Sequence, residues 1–145
     1  MKNKLVGTWE LVSHCRVDEQ GGMSYPLGRR PSGYLIYSPE GFMSVCITSQ
    51  NRRLPRGFDF HDIPKLTPAQ KTRLLHSCIS YAGKYRVLKD KVIHQVQVSL
   101  IPSWVGKKLI RKIDWPQGKL SLTSPPFVIN NTKYRARILW QRVLR

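Results

Sequence analysis

The sequence predicts an all-β chain that closes into one small antiparallel up-and-down barrel carrying a single inserted helix. Three observations point there. Segments rich in Val, Ile, Leu, Tyr and Trp recur along most of the 145 residues. The stretches between them are mostly short and hold Gly, Pro or Asp, and only one stretch has helical spacing. A meander of about eight or nine strands that stayed open would expose two edges, which closure removes. The length suits one domain, residues 1–145, with one sizeable core, and no repeat or low-complexity linker divides it.

Leu5 to Val17 reads as the first strand, ended by the turn Glu19-Gln20-Gly21-Gly22. Tyr25 to Gly28 is a short extended piece broken by Pro and Gly. The apolar runs Gly33–Tyr37 and Phe42–Ile47 flank Ser38-Pro39-Glu40-Gly41. Pro sets φ early in such a turn and Gly accepts positive φ late in it, so the two runs form a hairpin. Residues 49–65 are loop-like. The helix follows: Thr67 is its N-cap, Pro68 its first turn, and Leu74, Leu75, Cys78, Ile79 and Ala82 fall at helical spacing up to Gly83. Strands are expected from Lys84 to Leu88, Lys91 to Leu100, Lys108 to Trp115, Lys119 to Thr123 and about Lys133 to Leu144.

Twenty-five Lys and Arg against eight acids leave a net charge of +17, which attracts polyanions without selecting among them. Nucleic acid and an anionic membrane surface are therefore permitted partners, but they are not favoured. The bases alternate with apolar residues in strands or sit in turns, with no basic helix and no RNA-binding aromatic signature. A solvated barrel exterior accounts for them. The N-terminal stretch lacks the apolar run of a secretory signal, and no segment is long enough to cross a bilayer as a helix. The expectation is a soluble, cytoplasmic protein with Cys15, Cys46 and Cys78 reduced.

Gly7-Thr8-Trp9 on the first strand resembles the Gly-x-Trp signature of lipocalins. Beyond it, Tyr25-Pro26-Leu27-Gly28, Gly33 to Ser44, Tyr81-Ala82-Gly83-Lys84-Tyr85, His94 to Gly106, Leu120 to Pro126 and Leu139 to Val143 occur in order. Together they resemble the bacterial and fungal lipocalin-like domain family, over nearly the whole chain. The resemblance implies a lipocalin-like barrel, a setting often near natural-product biosynthesis, and no shared catalytic motif. It also implies that Arg142 lies across the Trp9 ring, a cation–π contact worth roughly 0.5–2 kcal/mol. The heavy positive charge is not part of the family pattern.

Inside a barrel alternate residues face inward. Val92, His94, Val96 and Val98 share the more apolar face of their strand, which turns His94 inward. Arg111 alternates with Leu109, Ile113 and Trp115, which also suggests an inward side chain. An inward Arg needs a carboxylate, and the sequence offers no obvious one. Either the strand phase is reversed or a ligand supplies the anion. Tyr34, Tyr37, Met43, Tyr85 and Trp104 are the further candidates for cavity walls. His14, His61, His76 and His94 show no metal-ligand spacing, and no cofactor motif is visible. The first functional reading is a small-molecule binding protein for a hydrophobic or amphipathic, largely apolar ligand, with or without an acid group. The second is a cyclase or isomerase working by cavity shape, with His94 and Arg111 as its catalytic candidates. The third is a charge-driven binder of nucleic acid or anionic membrane.

Overall fold

Burial alternates along most of the chain, and that alternation arranges the strands. The computed structural model describes residues 2–144 (2 and 3 by their backbone alone); Met1 and Arg145 lie outside them. The strands are β1 (Gly7–Asp18), β2 (Met23–Ser24), β3 (Ser32–Tyr37), β4 (Phe42–Thr48) and β5 (Cys78–Leu88), then β6 (Lys91–Ser99), β7 (Lys108–Asp114), β8 (Leu120–Thr123), β9 (Phe127–Ile129) and β10 (Thr132–Arg142). Two α-helices, α1 (Lys2–Leu5) and α2 (Pro68–His76), accompany short 3-10 turns.

Neighbours pair antiparallel in the order β1, β3, β4, β5, β6, β7, β8, β10, and β10 returns to pair with β1. This closes an eight-stranded barrel, with β2 and β9 as short additions. Eight strands leave an interior just wide enough for side chains or one small ligand. On β4, Met43, Val45 and Ile47 point in while Phe42, Ser44 and Cys46 face out. The Ser38–Gly41 stretch makes the expected hairpin, with Ser38 N–H donating to Phe42 O at 2.8 Å.

One end is shut by Trp9, which is 1 % exposed. Its Nε1 donates to Leu5 O at 2.8 Å, and the Arg142 guanidinium lies 4.2 Å from its ring centroid. Arg142 also donates to Val6 O at 2.8 Å and to Lys4 O. Gly7 makes this approach workable: a Cβ there would meet Arg142 Nη1 at 2.6 Å, and its φ of +135° is one that L side chains rarely adopt.

Two expectations fail in this region of the chain's reading. The helix ends at His76, and Cys78 to Ala82 begin β5. Ile79 fits helical spacing, but Ile79 and Tyr81 also satisfy strand alternation, and pairing with Ile47 and Val45 of β4 decides the contest. Val98 does not share the interior face with His94; it is 62 % exposed. A register shift places Ala82 opposite Val98 but Gly83 opposite Val96, so Gln97 is the extra residue of a bulge and the strand changes phase. Gly83 allows it, since a Cβ there would meet Gln95 O at 1.9 Å.

At the other end, residues 49–77 join β4 to β5 and carry α2, beside the turn between β6 and β7 that holds Trp104. Thr67 and Gln70 cap α2 reciprocally at 3.2 and 2.8 Å, yet none of its residues is buried. Among the described residues no helix is long and apolar enough to cross a membrane.

Two measurements check this arrangement. Trp9→Ala should destabilise the fold by roughly 3–5 kcal/mol in chemical denaturation, the usual cost of emptying a buried aromatic site; a loss under ~1 kcal/mol would contradict the closure. Amides of α2 should exchange with solvent well before those of β4, β5 and β6, and equal protection would show the helix to be a fixed plug.

Candidate functional site

The barrel interior is lined mainly by Leu, Ile, Val and aromatic side chains, and a hydrogen-bonded polar centre around His94 interrupts it. His94 on β6 is 2 % exposed and is held from both sides. Tyr37 Oη on β3 lies 2.6 Å from its Nε2, and Tyr81 Oη on β5 lies 2.7 Å from its Nδ1. Strand alternation supplies the parts: Leu35 and Tyr37 point inward from β3, Tyr81 and Tyr85 from β5, Val92, His94 and Val96 from β6.

Arg111 is the fourth member. On β7, Leu109, Arg111 and Ile113 turn inward while Lys108, Ile110, Lys112 and Asp114 are exposed. Because Leu109 pairs with His94 and Arg111 with Val92, Arg111 sits diagonally from the imidazole on the same face. Its charge acts on His94, Tyr37 and Tyr81 together. Burial, and then Arg111, lower the His94 pKa to about 3, so the ring is neutral near pH 7. Burial pushes the Tyr37 and Tyr81 phenols up, Arg111 opposing it in part. The whole relay is therefore uncharged, beside one permanent cation.

Among the described residues that cation pairs with no acid. Its recorded bond is Nη1 to Ile110 O at 2.9 Å, and the ion pair found among the described residues is Lys65 with Asp62 on the surface. The other half-buried strand arginines, Arg16 and Arg142, lie over the rings of Phe127 at 5.9 Å and Trp9 at 4.2 Å. Other polar groups are also unanswered: among the described residues His14 Nδ1, Trp115 Nε1 and Trp140 Nε1 are buried without a hydrogen-bond partner.

The remaining candidates divide. Met43 and Tyr85 are buried, and Tyr85 donates to Ser38 O at 2.8 Å. Trp104 is half-buried and meets Tyr81 edge-on at 5.9 Å. Tyr34 does not belong with them. It is 53 % exposed, because a residue three positions from inward Tyr37 must face the opposite side of a strand. Tyr81 is absent from the site residues expected from sequence because its stretch reads as helix up to Gly83; once β5 begins at Cys78, its spacing of four from Tyr85 puts both on one strand face. His14 was noted only as lacking metal spacing, yet it is buried, and burial with the nearby Arg16 charge lowers its pKa to about 4.

Elsewhere, a groove of about 620 Å³ runs between residues 49–55 and α2, with Arg52, Arg53, Arg73 and His76 on its walls. Arg52 is already committed to Ser77 Oγ at 2.8 Å and Leu74 O at 3.1 Å. All three cysteines are free, and the Cys46 and Cys78 thiols touch across β4 and β5.

The lipocalin-like domain family matches residues 6–143, which is nearly the whole chain. The chain belongs to the lipocalin-like domain family. No curated protein matches it at a meaningful level. A lipocalin-like barrel is compatible in general with binding a small molecule inside, and in this one the interior polar centre is the relay with Arg111.

The two buried histidines generate a pH prediction. The unfolded chain protonates each near pH 6.5, whereas the folded protein resists down to about 4 for His14 and about 3 for His94. The folded pKa values are depressed, so the stability they confer is complete above about pH 6.5 and is lost as pH falls toward them. Urea denaturation should show a decline of about 1.4 kcal/mol per pH unit for each histidine between pH 6 and 4.5. A flat profile there would contradict neutral, buried rings.

Proposed function

We propose that the protein is a small-molecule binding module holding a largely apolar ligand with one acid group in its barrel, the acid paired with Arg111. The observation that carries this reading is Arg111 itself, a half-buried, inward guanidinium that meets no carboxylate or aromatic ring among the described residues. Leaving such a charge unpaired in a shielded site is costly, and its planar fork fits a carboxylate. Leu, Ile and Val side chains around it suit an apolar body. Side chains fill the interior around the relay, so ligand entry requires the mouth near Trp104 and the 49–77 segment to open. The two helical stretches of that segment bury none of their residues, so little holds it in place.

The isomerase or cyclase reading draws on one observation, the hydrogen-bonded chain through Tyr37, His94 and Tyr81. Such a chain can pass a proton between two points of a bound substrate. In that case His94 and Arg111 are its catalytic candidates, and conversion of a bound biosynthetic intermediate would be detected. Free thiols suit a reducing, cytoplasmic setting. The exposed Lys and Arg of the outer wall account for the +17 without a specific polyanionic partner.

Dodecanoate should bind more tightly than dodecanol by on the order of 1.5–3 kcal/mol, the value of a charge-assisted hydrogen bond, and the margin should survive added salt because a buried pair is weakly screened. Arg111→Met should erase the margin while sparing the alcohol. Calorimetry at low and high salt checks this. Equal affinities would remove the acid from the reading, and a preference lost with salt would assign it to the outer surface.

A further inference from the structure

Proton counting at the relay leads further. A neutral imidazole carries one N–H, and two phenols carry one O–H each, giving three protons. The two hydrogen bonds at 2.6 and 2.7 Å use two of them. If Nδ1 is protonated it donates to Tyr81 Oη, Nε2 accepts from Tyr37, and the Tyr81 proton is left over. If Nε2 is protonated the roles reverse and the Tyr37 proton is left over. Either tautomer leaves one phenolic O–H, and no acceptor for it is recorded at Tyr37 or Tyr81 among the described residues. Both phenols are buried, Tyr37 1 % and Tyr81 7 % exposed, and a buried donor without an acceptor is unfavourable.

We infer that this remaining phenolic proton and Arg111 form a two-point site for a 2-oxo acid with an apolar tail, the carboxylate on Arg111 and the neighbouring carbonyl oxygen on the phenol. The inference rests on the binding reading above and specifies its ligand class. The charged donor takes the charged oxygens. The neutral donor takes an uncharged acceptor without forcing a second ion into the interior. Arg111 sits diagonally from His94 across β6 and β7, His94 holds a phenol on either side, and the Arg111 charge reaches both phenols, so one small head group can meet the guanidinium and a phenol together. The imidazole, by moving its own proton, presents the free O–H from whichever phenol the carbonyl approaches, and it does so without forming an imidazolium or a phenolate. It is a positioning residue; the phenol makes the contact.

The test compares 2-oxododecanoate with dodecanoate by calorimetry at pH 7.5, in the unchanged protein, Tyr37→Phe, Tyr81→Phe and the double variant. The affinity ratio of the two probes within each protein is the readout, so a general loss of binding or stability cancels. A ratio of about 3–10 is expected in the unchanged protein, the range of one neutral hydrogen bond. It should persist in one single variant, in which the other phenol is the contact, and fall to about 1 in the other single variant and in the double variant. Imidazole ¹⁵N shifts of His94 at pH 6 supply a reading independent of any variant, with a neutral ring converging on one tautomer when 2-oxododecanoate is added. A ratio of 1 in the unchanged protein, an unaltered ratio in the double variant, or an imidazolium at pH 6 would overturn the inference while leaving dodecanoate binding intact. Failure of dodecanoate itself to bind would remove the underlying reading and the inference with it.

Discussion

The antiparallel ladder between β1 and β10 is the contact on which the rest depends. It runs from Trp9 opposite Arg142 to Asp18 opposite Tyr134, with one irregularity at Val12. Without it the remaining strands would form an open sheet with two edges and no interior. Arg142 strengthens the join by stacking on Trp9 and donating to carbonyls on the far side of the seam. Closure divides the side chains into two populations, and both the charge distribution and the polar centre follow from that division.

The division makes sense of a strongly basic chain. Lys108 and Lys112 on β7, and Lys133, Arg135 and Arg137 on β10, take outward positions where water screens them. Arg111 breaks the pattern on β7, and the group it faces is an uncharged Tyr–His–Tyr chain in place of an acid. A carboxylate there would have neutralised the site within the protein. Its absence among the described residues leaves Arg111 without an ion pair inside the protein.

Much of this was legible in the sequence because strand alternation is a local property. The Ser38–Gly41 hairpin and the inward phase of His94 and Arg111 could each be read from a few residues, whereas Arg142 over Trp9 followed from the resemblance to lipocalins. What escaped reading depends on contacts between strands. The stretch Cys78–Ala82 fits a helix and a strand equally well until β4 is beside it. The bulge that turns Val98 outward is permitted by Gly83 on β5, where a side chain would strike the Gln95 backbone, and no pattern within β6 announces it. Tyr34 and Tyr37 could not both line the interior, as their spacing alone shows. The Tyr81–His94 bond crosses that same bulge, so its partners are displaced from simple ladder register.

The seam also has a meaning in time. Arg142 and Val6 are bonded across 136 positions of sequence, so the closing contact joins nearly opposite ends of the chain. Long-range pairing of this kind slows folding. During synthesis β1 must wait with one side unpaired until β10 has left the ribosome, and an unpaired strand invites association with other chains. Glu10, exposed near the start of β1, is a charge on that waiting strand, and charged side chains are a common means of keeping an open edge from pairing wrongly. The feature that gives the finished barrel its inside is thus the one that makes its assembly a late, all-or-none event.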